Sequence, residues 1–143
     1  MTSRRHRSRP WLPLAAAVGV LLGGGTGPIA VAAGAPVCEE TGPLQPVALR
    51  VSRDGVFLMV DAVIANRSGG LIRALQVTGE FYNFFGELVR VGVAGLVPAD
   101  LGPGHRATAG LVVPWSEAVR TLVFRFSWLE QAGPVQTAVA CRL

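Results

Sequence analysis

Leu75, Val77, Gly79 and Phe81 alternate with Gln76, Thr78, Glu80 and Tyr82. A two-residue period sends successive side chains to opposite faces of a strand, one suited to a core and the other to water. The same period dominates the chain beyond the mid-thirties, and helical spacing is nearly absent there. This pattern constrains the fold more than any other feature, because such a chain must pair strands.

A first strand is expected over Val47–Val51, ended by the tight-turn composition Arg53-Asp54-Gly55. Val56–Ala65 follows, with Val56, Leu58, Val60, Ala62 and Ile64 on one face. Its other face carries Phe57, Met59, Asp61 and Val63, which predicts cover on both sides for much of its length. Asn66–Gly70 reads as a loop, Leu75–Tyr82 as a strand, and Asn83-Phe84-Phe85-Gly86 as the turn into Leu88–Val93. Pro98 and Leu101-Gly102-Pro103-Gly104 interrupt what comes next, so any strand there is short and at an edge. Ala107–Val113, Thr121–Leu129 and Val135–Cys141 complete the set, with a turn at Gly133-Pro134. Seven short strands in about 100 residues predict an all-β fold, a seven-stranded immunoglobulin- or fibronectin-III-like β-sandwich.

The head of the chain has a different character. Of thirteen Lys and Arg residues, all arginine, four (Arg4, Arg5, Arg7 and Arg9) precede any acidic residue. The other nine face nine acids, so the net charge of +4 belongs to the head and the remainder is formally neutral. The apolar run Leu14–Leu22, three glycines and the small residues Ala30-Val31-Ala32-Ala33 come next. A basic head, a short apolar run and a small-residue cut site predict a secretory signal peptide over 1–33, helical in its apolar part, and a single domain over 34–143. An uncleaved membrane anchor is the alternative, opposed by Gly23-Gly24-Gly25 and Pro28 inside the apolar stretch. The destination is then periplasmic or secreted. A neutral remainder leaves no electrostatic footprint for nucleic acid, and membrane contact is expected only if the N-terminal segment is retained.

Cys38 and Cys141 flank that remainder. In an oxidising compartment a pair is expected to form a disulfide, here closing a loop of about 100 residues. The wide spacing lacks the close pairing of a redox or metal-binding motif.

The stretch from Val56 to about Trp128 carries an asparagine loop, Asn66-Arg67-Ser68, and a strand ending in Phe81-Tyr82-Asn83. The turn glycine Gly86 and the later turn Leu101-Gly102-Pro103-Gly104 follow. In this it resembles the FxLYD-type and related small immunoglobulin-like domains of exported bacterial proteins. Gly79 stands where those domains have their first aromatic, and Asn83 replaces their aspartate. The core near Gly79 must therefore be filled from elsewhere. The resemblance implies a β-sandwich used for binding or scaffolding, with no catalytic residues to carry over.

The chemistry-bearing residues are sparse. His105 is the one histidine beyond the head and lies in a turn; Asp100 is near it in sequence, with no nucleophile elbow to complete a triad. Asp61, Glu80 and Glu87 offer no singled-out carboxylate pair. His105, Met59, Cys38 and Cys141 would be the soft ligands of a copper-handling protein, but they are scattered in sequence. The chain is accordingly not read as an enzyme, and no cofactor is expected. Hairpin tips are normally polar or glycine-rich, whereas this one is Phe84-Phe85. Those rings either fold back as a lid over the sandwich or project toward a partner. Trp115, after Pro114, poses the same choice, with a corner plug favoured. If Leu75–Tyr82 and Thr121–Leu129 are neighbours, Glu80 and Arg125 can pair across the outer face. The expected function is an exported binding or accessory protein that contacts an envelope partner. A periplasmic copper-handling protein and a membrane-tethered form of the same domain are the alternatives.

Overall fold

The apolar alternation is realised as nine strands in two antiparallel sheets. The computed structural model describes residues 35–143, so the signal segment expected over 1–33, with the helix and cut site expected in it, lies outside the described residues. The strands are β1 (Val37–Cys38), β2 (Leu44–Asp54), β3 (Phe57–Asn66), β4 (Arg73–Asn83), β5 (Leu88–Val93), β6 (Gly95–Val97), β7 (Arg106–Pro114), β8 (Val119–Glu130) and β9 (Gly133–Arg142). One sheet has the order β1-β9-β8-β4-β5 and the other β2-β3-β7-β6. Among the described residues there are nine strands where seven were expected. The two additional ones are β1 and β6, too short for a periodic signal; each completes a sheet edge, and β6, ending just before Pro98, is the short edge strand that the sequence allowed for there.

The core lies between the sheets. Leu122, Phe124, Phe126 and Trp128 of β8 are buried with Leu75, Val77 and Phe81 of β4 on one side. Leu58, Val60, Ala62 and Ile64 of β3 and Ala107, Ala109, Leu111 and Val113 of β7 are buried on the other. Every second residue is buried in each case, as the alternation predicted.

Four details differ from expectation. Val56, expected on the core face of its strand, sits instead in the two-residue turn between β2 and β3 and is exposed. The opposite face of β3 is not covered: Phe57 and Asp61 are exposed, and Met59 and Val63 partly so, because nothing among the described residues packs outside the four-stranded sheet. The β8–β9 turn falls at Gln131-Ala132, and Gly133 and Pro134 already belong to β9. Strand β2 also runs well past the expected Val47–Val51; Pro46 is accommodated at a bulge between Pro46 and Ala48, on an edge strand where a missing N–H is tolerated.

Gly79 shows how the core fills the place of the missing aromatic. It pairs across the ladder with Gly92 of β5, so two glycines lie side by side. A Cβ on Gly79 would fall 2.8 Å from Leu111 Cδ1, and one on Gly92 would fall 2.7 Å from Val113 Cγ1. The facing strand β7 thus fills the depression with Leu111 and Val113. We expect Gly79→Val to cost about 1–3 kcal/mol by overpacking. Urea unfolding should show this loss, whereas Gly110→Ala, with open space at its Cβ, should leave the midpoint close to its parent value.

Two further features tie the ends of the sandwich. Cys38 and Cys141 face each other in the β1–β9 register and are joined by a disulfide, the state proper to an oxidising environment. At the other end Asn66 is fully buried. Its Nδ2 donates to the carbonyls of Gly70 and Leu101, both at 2.8 Å, and its Oδ1 accepts from the Ser68 N–H at 2.9 Å and the Ser68 hydroxyl at 2.6 Å. Leu101 is buried below it and bridges to Ile72, so the Asn66 loop and the Leu101–Gly104 turn close the core as one unit.

Candidate functional site

Among the described residues, the β4–β5 connection carries the most exposed large apolar side chains. Asn83 Oδ1 accepts hydrogen bonds from the N–H groups of Phe85 and Glu87, both at 2.9 Å, and its Nδ2 donates to the Glu87 carboxylate at 2.7 Å. The Asn83 N–H donates to the Glu87 carbonyl at 3.0 Å, and Gly86 N–H donates to the Asn83 carbonyl at 3.1 Å. Gly86 has φ +78°, a left-handed conformation that a residue with a Cβ adopts at a cost. One asparagine side chain thus braces the whole turn, a use of Asn that depends on its having both an acceptor and donors.

On this braced turn Phe84 and Phe85 are 83% and 82% exposed. Their rings meet edge to face with centroids 5.7 Å apart. The lid alternative is therefore overturned: the two rings touch each other and not the end of the sandwich, because the Asx bonds of Asn83 hold the turn upright. Leu88, Val91 and Val93 of the adjoining edge strand β5 are also exposed, so the apolar surface continues from the tip along the sheet edge.

Trp115 follows a different course. It is partly buried and packs against the core, as a corner plug would. The Arg53 guanidinium lies 4.9 Å above its ring, a cation–π contact, and its Nε1–H is buried without an acceptor. Phe84, Phe85 and Trp115 are accordingly not brought together as one surface: the first two form the tip, and the third belongs to the side where β2 faces β8.

The remaining polar candidates are dispersed. Glu80 and Arg125 pair on the outer face of the five-stranded sheet at 2.6 Å, as the neighbouring of β4 and β8 led one to expect. The Tyr82 hydroxyl donates to the second Glu80 oxygen at 2.6 Å, a partner the sequence reading missed. The Arg125 hydrogen bond, then that of Tyr82, lowers the Glu80 carboxyl below its ordinary pKa and outweighs the opposing effect of desolvation. Asp61 is on the other sheet, beside Arg50 in the β2–β3 register, and Glu87 is held by Asn83. Asp100 Oδ1 accepts from the Ala74 N–H at 2.9 Å, where Ala74 has φ +51°, and His105 is exposed in its turn.

Cys38 and Cys141 are consumed by the disulfide, and Met59 lies on the outer face of β3. Among the described residues no group of three or more His, Cys, Asp or Glu side chains converges as a metal site. No described helix is long and apolar enough to cross a membrane, and the segment invoked for tethering lies outside the described residues. Asn66 and Asn83 are the residues whose importance the sequence reading understated; the signal available was an Asn followed two residues later by a turn-forming position. No family model, no curated protein and no solved structure matches the chain.

Proposed function

We propose that this protein is an exported binding or accessory module that docks on an envelope protein through the Phe84-Phe85 tip. The observation that carries this reading is the pair of rings, more than four-fifths exposed on a turn braced by five hydrogen bonds. Exposing two large aromatics forfeits their burial, and rigid aromatic anchors are the side chains that contribute most at protein–protein interfaces. Because the turn is already ordered, docking costs little conformational entropy.

The architecture accords with this role. The orders β2-β3-β7-β6 and β9-β8-β4-β5 accord with the two sheets of an immunoglobulin-like sandwich, the fold class we assign. The disulfide fits export to the periplasm or beyond after removal of residues 1–33. Fold alone does not specify a task, so the assignment rests on the tip.

Phe84→Ser with Phe85→Ser should leave thermal stability within about 0.5 kcal/mol of the parent, since both side chains are exposed. Tagged protein exposed to an envelope extract should lose its bound partner on this double substitution and keep it on Val37→Ser, an exposed apolar position in β1, on the opposite sheet edge from β5. Equal recovery of the partner by all three proteins would refute the tip as the interface.

A further inference from the structure

Apart from the projecting tip, the described residues form an apolar concavity. Between the inner side of β2 and the start of β8 lies a cleft of about 640 Å³, within the size range of small-molecule sites. Leu49, Val51, Leu58, Trp115, Val119 and Leu143 supply its apolar lining. Among the described residues, the charged side chains that line it are of one sign: Arg50, Arg53 and Arg120. Among the described residues none of these three arginines is in an ion pair with a carboxylate.

Two of the guanidinium groups are already held in place. Arg53 donates from Nε to the Gly55 carbonyl at 2.9 Å and lies over the Trp115 ring. Arg120 donates from one Nη to the carbonyls of Glu117 at 2.6 Å and Val119 at 2.8 Å. Each keeps further N–H groups for another acceptor, and a guanidinium presents them in a planar fork suited to a carboxylate. Trp115 Nε1–H, buried and without an acceptor, is a third donor in a residue of the same wall.

We infer that this cleft binds a single-chain amphiphilic anion, a fatty-acyl carboxylate, with its tail along Leu49, Val51 and Val119 and its carboxylate at Arg53 and Arg120. The apolar lining selects the tail and the positive rim selects the head. A neutral chain would satisfy only the first requirement, and a short anion only the second.

Calorimetric titration of the intact exported protein with decanoate, decanol and acetate tests the assignment. Decanoate should bind, decanol at least roughly tenfold more weakly, and acetate not detectably, given the strength of charge-assisted hydrogen bonds. Arg53→Gln with Arg120→Gln should weaken decanoate by about tenfold or more and leave decanol unchanged; both arginines are exposed, so folding should survive. Arg73→Gln, an exposed charge on β4, should change neither. The Phe84→Ser, Phe85→Ser protein should bind decanoate as the parent does, because the tip and the cleft are separate sites. Failure of decanoate to bind, equal binding of decanol, or indifference to loss of both arginines would overturn the assignment.

Discussion

Replacing Cys38 and Cys141 together by alanine should lower the unfolding free energy by about 4 kcal/mol. The bridge spans a sequence separation of 103 residues, and closing a loop of that size removes about 4–5 kcal/mol of chain entropy from the unfolded state. Domains of this size are stable by only about 5–15 kcal/mol, so the loss is a large share of the total. A local effect should accompany the global one. Strand β1 has two residues and pairs only with β9, and its continuation is the hydrogen bond from Glu39 N–H to the Ala140 carbonyl at 2.9 Å. Without the sulfur link that amide should exchange with solvent far faster than the amides of β8. Unfolding curves in urea and amide exchange on the same two proteins check both statements. Superposable curves would show that the bridge leaves the unfolded chain unconstrained.

The second large effect is expected at Asn66. Asn66→Ala removes four side-chain hydrogen bonds made at a fully buried position. Each is worth about 1 kcal/mol net, but the losses are not all equal. Leu101 O still accepts from Ile72 N–H and Gly70 O from the Ser68 hydroxyl, whereas Ser68 N–H loses its one acceptor among the described residues. The expected cost is about 2–4 kcal/mol by chemical denaturation. Asn66→Asp is the sharper probe. It puts a carboxylate oxygen against the two carbonyls that Nδ2 now serves, so burial and repulsion raise its folded-state pKa above the unfolded value. Such a group is tolerated while protonated, so this variant should be least stable at neutral pH and should regain stability as the pH falls through that raised pKa. A denaturation midpoint equal to the parent's in both variants would show that the loop, and not its asparagine, closes this end of the sandwich.

How much of this was legible beforehand depends on the length scale of the signal. The long strands β3, β4, β7 and β8 alternate over nine or more residues, and their core faces, such as Leu75–Phe81 and Leu122–Trp128, could be read directly. Strands β1 and β6, of two and three residues, carry no period. They exist because a neighbour offers them an edge, which is a tertiary fact. The outer face of β3 departs from expectation for a related reason: Phe57, Met59 and Val63 look like core residues in sequence, and only the sheet order shows that no layer of the described residues covers them.

The candidate sites were legible to unequal degrees. Phe84 and Phe85 stand out because a turn is an unlikely place for two phenylalanines, but the choice between lid and projection was decided by the bonds of Asn83. The cleft left no trace in the sequence. Leu49, Arg53, Trp115, Arg120 and Leu143 are distributed over almost 100 positions, and the pairing of strands alone brings them together. The Glu80–Arg125 pair shows the converse case, a contact deducible once two strands were assumed to be neighbours.

The sulfur bridge also decides how the domain would respond to being pulled. Tension applied between residues ahead of Cys38 and behind Cys141 runs through a covalent link and leaves the intervening strands unstrained. The sandwich would transmit force as an inextensible knot in a string, and its hydrogen-bond ladders would be spared shear.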